Sequence, residues 1–350
     1  AKEQGDRFKI VTLGTLNERD SSRLLSNFLQ GRSIPENMER LILERAEGNA
    51  FYLEEVLRSL HETGALDRTP GRTDTNRDGT TFDSPTTLHG VVMSRVDRLH
   101  PSHKQTLQTA AVIGRAFQHG VLDGIVDSDL KGEPTKQSLD ELVQREFFQI
   151  VGGPADSTGA EILAERDRND SSDSSHAFQL HSGDTGDQAA FFETEYSFKH
   201  AMTAEVAYES LLKSQRRDLH KRTGELIEKY APERLDELAA ILAHHFRHAG
   251  EFEKAYRYMT RSAVRAASVF ANEEAVSCFT NALALAEETG PLADSGGDLD
   301  PAPASIQEAL ADVYYVTGRY SDAATRYDLA LVSVGASPHR VTLLRKKGQV

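Results

Sequence analysis

The sequence lacks most of the residues that carry familiar chemistry. It has one cysteine in 350 residues, Cys278, so no internal disulfide framework exists and the usage suits a reducing compartment. No stretch approaches the roughly 18 apolar residues that span a bilayer. The opening "AKEQGDRFKI" has no signal-peptide pattern. A cytoplasmic protein without a membrane partner is the expectation. Positive charge is also scarce. A formal net charge of −14 argues against a general binder of nucleic acid or anionic lipid. No Gly-Lys pair occurs, so G-x-x-x-x-G-K-[ST] is absent, and so is G-x-G-x-x-G. Without a loop of backbone N–H groups and a lysine, a nucleoside triphosphate has no cradle in this chain, and independent ATP hydrolysis is not expected. No G-x-S-x-G occurs either, and Cys278 reads as a small packing residue in a helix.

What is present is helical periodicity. After a short candidate strand at 8–13, "NERDSSRLLSNFL" (17–29) places Leu24, Leu25, Phe28 and Leu29 at helical spacing. In "SIPE" (33–36) Ser33 and Glu36 have the spacing of a capping box for a helix running to about Glu47. "GNAFYLEE" (48–55) then breaks the pattern and restarts it. Gly48 suits a positive φ at the end of one helix. Asn49 suits the N-cap of the next. Glu54 and Glu55 fall near that helix's positive end. Tyr52, Val56, Leu57 and Leu60 make its apolar face, and Gly64 ends it.

Residues 67–85 read as an exposed polar loop. Helical segments follow at 87–99, 103–114, 118–126 and 136–148. The segments "FFQIV" (147–151) and "ETEYSF" (193–198) read as two strands. Helices closed by a small β-hairpin make a winged-helix pattern. Residues 152–190, with eight acids against two arginines, read as a disordered insertion. From Lys199 onward the pattern is helical. In "IQEALADVYYVTGRYSDAATRYDLAL", Leu310, Tyr314, Gly318, Tyr320, Ala323, Tyr327, Ala330 and Leu331 fall at tetratricopeptide-repeat (TPR) spacing. Such units cannot bury their faces alone, so they stack into an array.

Few residues suggest a metal or a nucleic acid. His244 and His248 in "HHFRH" are i, i+4, which is ligand spacing on a helix. The Glu of H-E-x-x-H is missing and no third ligand is evident, so the pair reads as packing or surface, and no metal is expected on this chain alone. The candidate recognition helix, "KQSLDELVQREFF", mixes Lys136 and Arg145 with Asp140, Glu141 and Glu146, a poor balance for gripping phosphates. The basic run "KSQRRDLHKR" (213–222) reads as a solvated helix face.

The segments "GNAFYLEEVLRSLHETGAL", "MSRVDRLHPSHKQTLQTAAVIGRAF", "YSFKHAMTAEVAYESLLKSQRRDLH" and "LAHHFRHAGEFEKAYRYMTRSAVRA" resemble, in order and spacing, signal-transducing ATPases with numerous domains, the STAND class. Multidomain class III adenylate/guanylate cyclases with an ATPase module and TPR tail look most similar. The resemblance implies a mainly α fold. Residues 1–66 would be the helical lid of a truncated P-loop ATPase module, and 67–85 a loop. Residues 86–212 would be a winged-helix domain with its insertion, and 213–350 TPR-like repeats that continue further. It also implies ATP or ADP as cofactor, held mainly by an upstream P-loop module, with effector domains in cis. In the family the Gly-x-Pro corner of the lid lies against the adenine. Gly48 and Asn49 match, with Phe51 after them, but Ala50 replaces the proline and removes its ring face. His200 matches a histidine that related switches use to touch the ADP phosphates, although Ala201 follows it where plant and animal relatives have Asp. Arg115 would help hold the winged helix to the lid. An inducer, protein or small molecule, would sit on the repeats, and activation would accompany oligomerisation. The alternatives are a large LuxR-type transcription regulator with the same module, and a TPR scaffold whose ATPase remnant has decayed.

Overall fold

The computed structural model describes residues 14–29, 32, 34–64, 85, 87–126, 133–152, 194–288, 300–333 and 338–350. The candidate strand at 8–13, Ser33, the loop up to 84 and the insertion from 153 to 190 lie outside them. Among the described residues the fold is mainly α, with fifteen α-helices and one three-stranded sheet. The chain divides into two compact units, residues 1–104 and 105–350.

The first unit holds α1 (Glu18–Leu29), α2 (Glu36–Ala46), α3 (Ala50–Glu62) and α4 (Leu88–Asp97). Asn17 starts α1 by accepting the Asp20 N–H at 2.9 Å. The start of α2 differs from the expected capping box. Pro35 holds the N-cap position without a side-chain cap, and Glu36 is the first helical residue instead of the third. The reason is steric, since a proline forces the residue before it into extended backbone and the helix begins only beyond it. The core joins Leu25 and Leu29 of α1, Ile42 and Ala46 of α2, Tyr52, Leu53, Val56, Leu57 and Leu60 of α3, and Val91 of α4. Phe28, expected on the buried stripe, is exposed.

The second unit begins with α5 (Pro101–Ile113), most of which it contains. It continues through β1 (Ala116–Gln118), α6 (His119–Ile125), α7 (Glu133–Gln144), β2 (Phe148–Gly152), β3 (Glu195–Phe198) and α8 (Ala201–Glu209). The sheet order is β1-β3-β2, all antiparallel, with Phe117 opposite Tyr196 and Phe148 opposite Phe198. Alternation on β3 turns Tyr196 and Phe198 to the core, where they pack with Phe117 and Phe148. The β2–β3 pair is the expected hairpin. Strand β1 was not foreseen, because three residues are too few to show a period of two.

The rest is a stack of helices: α9 (Lys213–Tyr230), α10 (Ala239–Ala249), α11 (Phe252–Ser268), α12 (Asn272–Glu288), α13 (Pro303–Val316), α14 (Tyr320–Ser333) and α15 (Pro338–Lys347). Each packs on the next, giving a helical-repeat solenoid. The turns at Gly250 (φ 81°) and Gly318 (φ 76°) have the left-handed backbone that glycine adopts without strain. Leu310, Tyr314, Ala323, Tyr327, Ala330 and Leu331 are buried as the repeat spacing requires. Tyr320 is exposed instead, as the first helical residue past the turn, and sets its ring edge-on to Tyr315 at 5.7 Å.

Candidate functional site

The Gly48 corner is built by local chemistry. Glu47 (φ 46°) and Gly48 (φ 78°) are both left-handed and end α2. The Asn49 side chain then accepts the N–H groups of Phe51 at 3.0 Å and Tyr52 at 3.2 Å, and α3 starts at Ala50. Gly48 has a second duty. The Leu16 N–H donates to its carbonyl at 2.8 Å, and a Cβ at Gly48 would stand 2.3 Å from the Leu16 carbonyl oxygen. The chain at 15–16 therefore crosses directly over the glycine. Asn49 is exposed, while Ala50 and Phe51 are half-buried.

A groove of about 1020 Å³ runs beside this corner, between α1 and α2. Its walls carry Glu18, Glu36, Glu39, Glu44 and Glu47 against Arg40, with Leu16, Leu43 and Gly48. That balance repels phosphate. The corner can meet an apolar or hydrogen-bonding part of a ligand, and a polyanionic part must be held by other groups.

Glu55 does not serve the α3 terminus as expected. It is buried, and it accepts Arg95 Nη1 of α4 at 2.6 Å and Arg58 at 2.9 Å. Glu62 takes the other Arg95 nitrogens, the closest at 2.7 Å. Burial works against the Arg95 charge, but the hydrogen bonds and charges of Glu62 and Glu55 overcome it and raise the guanidinium pKa. The cluster clamps α3 to α4.

His200 lies in the second unit. It is the N-cap residue of α8, half-buried, and its carbonyl accepts the Thr203 N–H at 3.1 Å, while its side chain does not cap the helix. Arg115 is exposed, and its carbonyl receives the Phe198 N–H at 2.8 Å. The four corner residues thus come together in one unit and His200 belongs to the other.

The basic run on α9 keeps Lys213, Arg217 and Lys221 exposed, as expected of a solvated face, while Arg216 and Arg222 are half-buried. Arg216 bonds the Glu209 carbonyl at 2.7 Å, Lys221 pairs with Glu251, and Arg222 donates to the Ile125 carbonyl. His220, inside the same run, is buried. It reaches His245 (Nδ1 to Nδ1, 2.9 Å) and the Tyr208 hydroxyl (3.1 Å from Nε2). His244 and His248 pack against it from α10. Burial, then the neighbouring histidines, hold His220 down to about 2 and His245 to about 3, so both are neutral near pH 7. One ring nitrogen each of His220, His244 and His248 lies within 4.8 Å of the others.

No family model and no curated protein matches the chain. One solved structure that is similar to it is that of a signal transduction ATPase with numerous domains (STAND) protein with a tetratricopeptide repeat sensor, from Pyrococcus horikoshii. The identity is 12% and the TM-score 0.36, over 92% of this chain and 42% of that one. The chain thus spans less than half the length of that protein.

Two side-chain clusters escaped the sequence. Arg95 and Glu55 stand 40 positions apart, and only tertiary packing joins them. His220 was hidden in a run that read as solvated, although its position on the face that carries Thr223, Gly224 and Ile227 was a signal of burial. Cys278 is half-buried with its thiol pushed up by burial, which suits a packing residue. Among the described residues no helix is long and apolar enough to cross a membrane.

Proposed function

We propose that this chain is the regulatory, nucleotide-sensing and protein-interaction region of a STAND-class ATPase. In this reading α1–α3 act as the lid, the helices around the small sheet as a winged helix, and α9–α15 as a TPR-like sensor that takes a protein or small-molecule inducer. The output is most simply a class III adenylate/guanylate cyclase in cis, in the cytoplasm. The observation that carries the reading is the corner at Gly48 and Asn49. The family-like motif folds there as a left-handed turn feeding a capped helix, so the start of α3 is held to a fixed geometry. The acidic groove beside it fits a division of labour in which an upstream P-loop module holds the phosphates.

The switch works by differential contact. ADP held by the upstream module would bring the lid and His200 to one nucleotide and favour a closed state. ATP, or an inducer on the repeats, would favour release. Both ligands must bias the same two-state element for this to be coupling. Histidine suits the sensing role because it donates to phosphate and its charge is adjustable.

A second reading, a repeat scaffold with a decayed ATPase remnant, is favoured by Gly48 itself. The crossing of Leu16 accounts for a glycine there without any ligand. The two readings separate in a longer polypeptide that carries the upstream module. ADP affinity is compared for the parent, His200→Ala and Ala50→Pro. The switch predicts weaker ADP binding for His200→Ala and tighter binding for Ala50→Pro. Equal affinities in all three, or none at all, leave the scaffold.

A further inference from the structure

We propose that His220, His244 and His248 form a binding site for a divalent transition metal of the zinc class, bridging α9 and α10. The sequence places His244 and His248 one helical turn apart, and the fold sets His220 of α9 opposite them. One nitrogen from each ring already lies within 4.8 Å of the other two. Three imidazoles on a tetrahedral zinc, at 2.0–2.1 Å each, would hold their nitrogens about 3.4 Å apart and their ring centres about 5 Å apart. The ring centres here are 5.6 Å (His220–His244), 4.9 Å (His220–His248) and 4.3 Å (His244–His248) apart. The rings are thus at ligand separation, and the nitrogens close the remainder by rotamer adjustment. His244 and His248 are exposed, while His220 is buried and supplies the fixed member.

The hydrogen bonds present the right atoms. His248 Nδ1 stands 2.9 Å from the His244 carbonyl oxygen. A carbonyl only accepts, so Nδ1 carries the proton and the Nε2 lone pair is free for a metal. His220 Nδ1 faces His245 Nδ1 at 2.9 Å. With the proton on His220 Nδ1, donated to His245, the lone pair of His220 stands on Nε2, which the Tyr208 hydroxyl now occupies at 3.1 Å. The metal displaces that hydroxyl, and His245 becomes the outer partner that fixes the ring, as metal-bound histidines commonly have. Three neutral imidazoles leave the ion its full charge and one open position, which an anion or a water would fill. Arg216, over the Tyr208 ring at 4.6 Å, opposes a dication and weakens the site.

The test uses the whole chain with any polyhistidine tag removed and prior treatment with a chelator. Zinc is titrated by calorimetry, and cobalt by its visible absorption, into the parent, His244→Gln, His248→Gln and the double variant. Both substitutions are on the surface, and circular dichroism checks the fold. The expected result is saturation at one zinc per chain, intense tetrahedral-type cobalt bands, and affinity falling about 10-fold or more for each single variant. Zinc should also raise the melting temperature of the parent and not of the double variant. No saturable zinc binding in the parent, or unchanged affinity in the double variant, overturns the site.

Discussion

Gly48 shows how much one residue can be asked to do. Its φ of 78° is costly for an L side chain, and the crossing of Leu16 leaves no room for a Cβ. Gly48→Ala is expected to cost about 2–3 kcal/mol in urea unfolding, the sum of left-handed strain and displaced backbone. Gly64→Ala is the control, because Gly64 has φ 67° with nothing within 4 Å of a new Cβ. Its loss should be about 1 kcal/mol. Equal losses at the two sites would show that the crossing contributes nothing. Asn49→Ala removes a side chain that accepts two N–H groups and should cost about 1 kcal/mol, with Asn49→Asp retaining most of the stability. These two residues were legible in the sequence because glycine and asparagine act on the backbone beside them. Glu55 was not, since its partner is 40 positions away, and a carboxylate near a helix start reads first as a dipole complement.

At the scale of elements, polar and steric contacts decide how helices pair. Arg95 is 2% exposed and clamped between Glu55 and Glu62. Glu55→Leu takes one carboxylate from a buried guanidinium and should cost about 3 kcal/mol. The double change Glu55→Leu with Arg95→Met removes both charges and should recover much of the loss, read as a double-mutant cycle on urea midpoints. No recovery would mean that Arg95 is held chiefly by Glu62. Between α9 and α10 the controlling contact is steric. A Cβ at Gly224 would stand 2.8 Å from the buried Phe246 ring, which stacks on Tyr258 at 5.7 Å. Gly224→Ala gains helix propensity of up to about 1 kcal/mol but overpacks by about 1–3 kcal/mol, so a net loss is expected. The helices themselves were legible from their apolar spacing and the turns from their glycines. The α2 cap was misjudged because the S-x-x-E spacing took no account of the proline inside it. Strand β1 was missed because pairing, not pattern, creates it.

For the molecule as a whole, acid is the informative variable. In the metal-free protein His220 and His245 are neutral in the fold, with values near 2 and 3, whereas an unfolded histidine titrates near 6.5. Below 6.5 the unfolded chain binds protons that the fold refuses, so stability present above that pH drains away as pH falls toward 3. Each histidine contributes up to about 1.4 kcal/mol per pH unit in that window. Tyr208, Arg216, His244 and His248 face His220, and none supplies a carboxylate to offset its charging. His245→Gln should lower the slope of unfolding free energy against pH by about one proton's worth, measured by urea titrations from pH 4 to 7 with chelator present. An unchanged slope would assign the acid sensitivity to other groups.

The serial packing of α9 to α15 also has a mechanical consequence. Because each helix leans mainly on its neighbour, a load applied along the array passes largely from one helix to the next. Tyr258 with Glu228 and Tyr327 with Asp312 act as side-chain ties between helices, and Lys346 fastens α15 to Asp312. Pulled from its ends, such an array would pay out like a spring, a helix pair at a time, long before any single segment was stretched to an extended thread.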